Sequence, residues 1–393
     1  MNETFLLKDF NCSGGKHCQT TAMKGILDYS GYPLSEEMLL GLGGGIGFIY
    51  WYMKLMSAPF VGGRNAKPED FTLNICKRIG AKASIQQTLN RNKGYEELKN
   101  VLRVGKPAYL FVDMAYFPYL ALPENAHFGA HTIAVFGIDE INSKVYIADR
   151  GKKPVTVRIE ELEKARNSKF PPYPPKNKLL KIQYPIETKT LENGIVEAIK
   201  ESCDTMLHPP IKNIGLSGMQ KWAKLVIEWP KQFQGMSLLG CLFNTFVYIE
   251  IGGTGGSAFR PMYAQFLKES AKMINKPALL EVAELFETSG ERWSRIAKGA
   301  LPDSWSSLKR IRELMIDNNR IFEEQERNAI EKMTRIRMEL NDIMDFACKE
   351  LSSKNREVME LLKDLQDGIQ KCSEKEQEAF MALEKVMHER KVN

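Results

Sequence analysis

The first regular stretch of the chain is a helical stripe. Ala22, Met23, Ile26, Leu27 and Ser30 recur three and four positions apart, and the pattern stops at Gly31, which predicts a helix over 18–30. Gly31-Tyr32-Pro33 turns the chain, and Ser35 with Glu36 and Glu37 opens a short second helix through Met38, Leu39 and Leu40. Apolar faces at Phe71, Ile75 and Ile79, and at Leu98, Val101 and Leu102, predict helices over 68–79 and 95–104. Phe60 and Val61 read as a strand running into a turn, and 108–113 as a buried strand followed by the aromatic loop Tyr116-Phe-Pro-Tyr119. Residues 131–139 and 145–149 are two β-branched, apolar runs joined at Asn142-Ser143, which is a hairpin signal, and 155–159 alternates as a further strand. Phe170-Pro-Pro-Tyr-Pro-Pro-Lys176 forbids helix and leaves few donors for a sheet; 178–184 then returns as one last edge strand.

After about residue 186 helical periodicity dominates, broken at Pro209-Pro210, Pro230, Gly252 to Gly256, Pro277 and Pro302. Beyond Pro302 there is no proline and one glycine, Gly368, while Ile336, Leu340, Ile343, Met344, Ala347 and Leu351 keep one helical face apolar. These patterns divide the chain into an α+β domain with an antiparallel sheet over 1–185 and an all-α domain over 186–393. The long terminal helices suit an intramolecular bundle or self-association into a homo-oligomer.

Composition narrows this picture. At 393 residues, 43% hydrophobic and 26% charged, the chain has the make-up of an ordinary globular protein with ample core. Asn2 to Asp9 lacks the features of a signal peptide, and no apolar run approaches the ~18 residues a membrane helix needs; the longest, around 238–251, is broken by Gly240, Asn244 and Glu250. Seven scattered cysteines, at 12, 18, 76, 203, 241, 348 and 372, point to neither a disulfide framework nor a metal site, and fit a reducing cytoplasm. The net charge of +6 comes from interleaved basic and acidic residues without an aromatic–basic groove pattern, which argues against nucleic acid and is compatible with an acidic protein partner. Gly41-Leu-Gly-Gly-Gly-Ile-Gly47 meets neither the dinucleotide spacing nor the P-loop pattern, so no nucleotide cofactor is expected; it reads either as a tight turn or, through Gly43, Gly44 and Gly45, as a wall of a substrate channel.

Candidate chemistry gathers at three positions. Cys18 stands at the mouth of the first helix, after the glycine-rich run Asn11 to Gly15; unpaired N–H groups and the macrodipole there favour thiolate, the nucleophilic form. His131 opens one hairpin strand and Asp149 closes its antiparallel neighbour, so both fall at the same end of the hairpin. A thiol with a distant His and Asp is the set a cysteine acyl-transfer enzyme needs, His131 as base and Asp149 as its orienter. His17 and His127 are the alternative bases. The cysteine N–H is one oxyanion donor, and Asn11 or Gln19 supplies a second.

The stretches His17 to Ala22, Leu34 to Phe48, His127 to His131, Ala148 to Arg150 and Tyr248 to Arg260, several spaced motifs together, resemble the butirosin biosynthesis protein H family; the papain-like amide-forming enzyme of the closthioamide pathway is a second relative that the chain resembles. The resemblance covers about residues 10–310. It implies a papain-like, C39-peptidase-like cysteine domain followed by a helical domain. It further implies amide formation in antibiotic biosynthesis, with an acyl or peptidyl group moving from the phosphopantetheine thioester of a carrier protein, through acyl-Cys18, to a small-molecule amine. Papain-like enzymes commonly place a glutamine six residues before the cysteine, where this chain has Cys12. Tyr116 is a candidate lining residue, and the expectation for the helical domain is that Gly252–Arg260 forms a wall over Cys18, with Glu250 attracting the protonated amine and Gly255 and Arg260 contributing to binding. The same three residues also fit a cysteine peptidase or thioester hydrolase, in which water replaces the amine, or a non-catalytic binding module that keeps them as relics.

Overall fold

In the computed structural model, which describes residues 3–54, 56–64, 66–186 and 191–389, the strands are β1 (Thr4–Leu6), β2 (Ile49–Trp51), β3 (Phe60–Gly62), β4 (Ala83–Gln86), β5 (Ala108–Val112), β6 (His131–Asp139), β7 (Lys144–Ala148), β8 (Val155–Arg158) and β9 (Leu179–Ile182). The α-helices are α1 (Cys18–Tyr29), α2 (Glu36–Leu42), α3 (Pro68–Arg78), α4 (Arg91–Arg103), α5 (Ile159–Asn167), α6 (Leu191–Leu207), α7 (Gly215–Val226), α8 (Trp229–Gln232), α9 (Met236–Phe246), α10 (Arg260–Met273), α11 (Leu279–Ala300), α12 (Ser306–Glu324), α13 (Ala329–Ser353) and α14 (Asn355–His388). The protein is α+β, and none of its described helices is long and apolar enough to cross a membrane.

Two compact units share the chain. The first comprises Met1–Leu39, Lys67–Thr190 and Asn318–Arg335; the second comprises Leu40–Ala66, Leu191–Asp317 and Ile336–Asn393. The units therefore interleave: the glycine run around residue 44 and the β2–β3 hairpin belong to the second, and the turn between α12 and α13 to the first.

The first unit is built on an antiparallel sheet ordered β4-β9-β5-β6-β7-β8, with β1 also paired to β6. β6 is its spine: every residue from His131 to Ile138 is buried, and the strand is paired on both edges, by β5 along its first half (Val112 opposite His131) and β1 along its last residues (Thr4 opposite Asp139), and by β7 on the other side. β9 is not the edge strand its position after the proline run predicts. It sits between β4 and β5, and its buried Leu179 and Leu180 explain why, since an interior strand needs apolar residues on both faces. The run 155–159 ends as a strand at Arg158, where Glu161 accepts the Arg158 N–H at 2.8 Å and Ile159 opens α5, a helix the charge-rich sequence conceals. The second unit is helical apart from β2 and β3. Its core includes the rings of Phe48, Trp222 and Trp293, with centroids 5.7–6.2 Å apart.

Candidate active site

The chain reaches α1 in extended conformation at His17 and enters the helix at Cys18. What holds this turn is a side chain from α2. The buried Glu36 carboxylate accepts the Lys16 N–H at 3.0 Å and the His17 N–H at 2.8 Å, with the Thr20 and Thr21 hydroxyls 2.8 and 3.0 Å from its Oε1. Gly15 makes this possible, because a Cβ there would stand 2.1 Å from Thr21 Oγ1 and 3.0 Å from both Glu36 oxygens. The same loop is tied to the end of β7: Gly15 N–H donates to Arg150 O at 2.9 Å, and Arg150 Nη1 to Lys16 O at 3.3 Å. Cys18 and Asp149, 131 residues apart in sequence, are thereby moored to one another through backbone.

His131, at the first position of β6, lies with Nε2 2.9 Å from Asp149 Oδ2, both side chains almost wholly buried. Asp149 accepts twice more, from the Tyr119 hydroxyl at 2.8 Å and from its neighbour Arg150 N–H at 2.8 Å. With Nε2 taken, Nδ1 is the ring nitrogen left for Cys18, whose thiol is in hydrogen-bonding reach of His131. Electrostatics follow from this. Burial works against the Cys18 thiolate, but the hydrogen bond and charge of His131, with the backbone and hydroxyl of Thr132, outweigh it, and the thiol falls below its ordinary range. Burial likewise works against imidazolium, yet the Asp149 charge and hydrogen bond, joined by Cys18, raise His131 to about 10. Asp149 is lowered against its own burial, first by the His131 charge. Burial and the neighbouring Asp149 push the Tyr119 phenol well above its usual value.

No other cysteine shares this environment. Burial pushes Cys12 up to about 11 and Cys76, Cys203 and Cys241 up to about 12. His17 turns away, its Nδ1 3.2 Å from Thr20 Oγ1 and its ring edge-on to Phe71 at 5.5 Å. His127 belongs to a separate pair, with Nδ1 2.8 Å from Asp113 Oδ2 and its ring stacked on Phe170 at 3.4 Å; Tyr116 packs against it at 5.6 Å. Gln19 does not fit the oxyanion role: it is buried, and its amide N–H groups go to Pro68 O at 2.6 Å and Thr72 Oγ1 at 3.0 Å, which spends both donors on α3. Asn11 is exposed in the preceding loop.

The remaining expected residues lie in the second unit and have local roles there. Gly44 and Gly45 have positive φ, and a Cβ on Gly45 would meet the Tyr263 ring at 2.6 Å and Ser202 Oγ at 2.8 Å, so this turn is shaped by close packing on α6 and α10. Gly43 precedes them in the same turn. Arg260 is not available to a substrate. It is fully buried, and its five N–H groups are spent on Glu376 (2.9 and 2.7 Å), Gly63 O, Ala258 O and Gly47 O. Glu250 is half-buried, accepting Ser294 Oγ at 2.5 Å and the Ser257 N–H at 3.4 Å beside the positive-φ residues Gly255 and Gly256. Among the described residues no group of three or more His, Cys, Asp or Glu side chains is placed to hold a metal ion.

Tyr119, Thr132 and Glu36 are contributors that sequence reasoning did not single out. Tyr119 sits in the aromatic loop, but nothing in its spacing tells it from Tyr116, and Glu36 reads as an ordinary first-turn acid of α2. Residues 17–150 match the family model for the butirosin biosynthesis protein H N-terminal domain, and residues 160–333 match a domain of unknown function, DUF4872. A comparison with curated proteins found no match to the chain.

Proposed function

We propose that this chain, whose residues 17–150 match the butirosin biosynthesis protein H N-terminal family model, is a cysteine-dependent acyltransferase that forms amides in antibiotic biosynthesis. The observation that carries the reading is a Cys18 thiol at a helix start within reach of His131, whose other nitrogen is fixed by buried Asp149. A helix-borne thiol facing a histidine at the start of an antiparallel strand supports a papain-like domain. Cys18 thiolate attacks the thioester carbonyl of a carrier-bound acyl group, the donor C–S bond breaks, and the departing thiolate takes the proton from His131 Nδ1. The amine then attacks acyl-Cys18, His131 Nδ1 takes a proton from its nitrogen, and Cys18 thiolate leaves, restoring the ion pair. Asp149 keeps Nε2 protonated throughout, and Tyr119 fixes Asp149. A thioester is already activated toward an amine, so the cycle needs no nucleotide. Seven cysteines free of disulfides suit a reducing cytoplasm.

The test is intact-protein mass after exposure to an acylated carrier protein, followed by addition of an amine. Wild type and Cys12→Ala should gain an acyl adduct that the amine discharges as amide; Cys18→Ala should gain none. An adduct that survives in Cys18→Ala removes Cys18 from the mechanism, and discharge as free acid alone turns the reading into a hydrolase.

A further inference from the structure

Amide formation from an alkylamine at neutral pH has a proton to spare. The acceptor arrives as an ammonium, because alkylamines titrate near 10. Two protons must leave its nitrogen before the amide stands, and His131 accepts one of them. We propose that His127, oriented by Asp113, is the second base of the transfer step and takes the first proton from the acceptor ammonium. This inference rests on the acyl-transfer reading.

The pair is built much as the first one is. His127 Nδ1 donates to Asp113 Oδ2 at 2.8 Å, and Asp113 is wholly buried, accepting also Ser168 Oγ at 2.6 Å, Phe128 N–H at 3.1 Å and Ala115 N–H at 3.2 Å. Phe170 stacks flat on the imidazole at 3.4 Å, and Tyr116 flanks it at 5.6 Å. These contacts fix the ring while its side chain stays 14% exposed, and Nε2 makes no hydrogen bond among the described residues. With Nδ1–H given to a carboxylate, Nε2 carries the lone pair. Among the described residues, the titratable groups with a contact to His127 are Asp113 and the Tyr116 phenol.

The two pairs are neighbours by register. Val112 pairs with His131 across the sheet, Asp113 is the next residue, and the loop bearing His127 runs into His131 four residues later. One aromatic segment touches both: Tyr116 packs on His127 while Tyr119 donates to Asp149. A structural clip accounts for the four donors on Asp113 but gives no use for a fixed, partly exposed imidazole whose Nε2 has no hydrogen-bond partner among the described residues. Both ammonium protons find an acceptor. His127 Nε2 takes one from the ammonium, the neutral amine attacks acyl-Cys18, His131 Nδ1 takes the second, Cys18 thiolate departs, and His127 returns its proton to water.

The experiment separates the half-reactions, with an acyl thioester of N-acetylcysteamine as donor and either propylamine, protonated at neutral pH, or hydroxylamine, mostly unprotonated there, as acceptor. In His127→Asn and His127→Gln, Cys18 should acylate at the wild-type rate. Discharge by propylamine should fall about 100-fold at pH 7 and recover as pH rises, while discharge by hydroxylamine changes less than about threefold. Equal losses with both acceptors, a loss of acylation, or no loss with either would each overturn the proposal. Wild type supplies an independent arm should both variants fail to fold: the ratio of its propylamine to its hydroxylamine discharge, in which the titration of His131 cancels, should stay flat between pH 7 and 9, and a tenfold climb of that ratio per pH unit would show that only free propylamine reacts. Absence of any acyl-Cys18 in wild type is a distinct result, which brings down the acyl-transfer reading itself.

Discussion

Asp149→Asn changes one atom and tests the electrostatic core of the site. The carboxylate takes three donors: His131 Nε2 and the Tyr119 hydroxyl on Oδ2, at 2.9 and 2.8 Å, and the Arg150 N–H on Oδ1 at 2.8 Å. An asparagine has one acceptor oxygen and an NH2 group. With its oxygen toward His131, the NH2 confronts the Arg150 N–H; with its oxygen toward Arg150, the NH2 faces His131, which must move its proton to Nδ1 and so cannot take one from Cys18 or an amine. The first arrangement leaves a buried donor unpaired, at about 1–3 kcal/mol. The second disables the base; the same exchange in a serine protease triad lowers kcat about 10^4-fold. Either way His131 loses the charge that raises it to about 10, and imidazolium is then opposed by burial. The signs follow. The raised His131 contributes stability fully present below its unfolded value of ~6.5 and lost as pH climbs through about 10, and the lowered Asp149 contributes stability present above ~3.9 and lost as pH falls through its depressed value. The stability gap between wild type and Asp149→Asn should be widest between roughly pH 4 and 7 and close toward both extremes. Single-turnover acylation of Cys18 by mass, run across pH beside denaturant melts, measures both effects. Acylation at the wild-type rate, with an alkaline limb still near 10, would refute the assignment of Asp149 as orienter.

Two substitutions probe the scaffold. Glu36→Ala removes the acceptor of the part-buried Lys16 and the buried His17 N–H groups and should cost about 2–4 kcal/mol in urea unfolding while slowing acylation; an unchanged midpoint would mean that α1 is capped by other means. Arg260→Met strands the buried Glu376 carboxylate, leaving Ser289 and Trp293 as its hydrogen-bond donors among the described residues, and should cost about 3–5 kcal/mol; pairing it with Glu376→Leu should restore most of that loss, and a fully additive double variant would deny the coupling.

Much of the first unit was legible because its signals are local. The stripe from Ala22 to Leu27, the hairpin at Asn142-Ser143 and the strand 108–112 each satisfy a short-range rule, and the structure forms α1, β6, β7 and β5 there. His131 and Asp149 meet because antiparallel pairing brings the two ends of a hairpin together, which spacing alone implies. The strands that escaped notice, β1 and β4, run three and four residues and draw their stability from partners far along the chain. β9 misled for a related reason: an edge and an interior position differ only in what lies beyond, and its second neighbour β4 is nearly a hundred residues upstream. Gln19 and Arg260 read as functional because amide and guanidinium groups are versatile donors, and only three-dimensional neighbours reveal that those donors are spent.

The source of the Cys18 thiolate is the point at which local reasoning and structure part most instructively. A cysteine at a helix start is expected to draw on the positive end of the helix dipole. Here a carboxylate occupies that end: Glu36 takes the two N–H groups just ahead of Cys18 and lies against both threonines of the first turn. A negative charge so placed offsets the dipole and disfavours a second anion one residue away. Burial disfavours it further. The thiol nevertheless falls, and the groups that lower it are His131, by hydrogen bond and charge, and Thr132, both on β6. The helix therefore serves chiefly to aim the sulfur, with Glu36 and Gly15 fixing the turn that presents it. Its ionisation is set from the sheet, by an imidazolium that exists because Asp149 is held under it by Tyr119 and Arg150. Nucleophile position and nucleophile charge are thus assigned to different elements, so a change at Glu36 acts first on geometry and a change at Asp149 first on electrostatics.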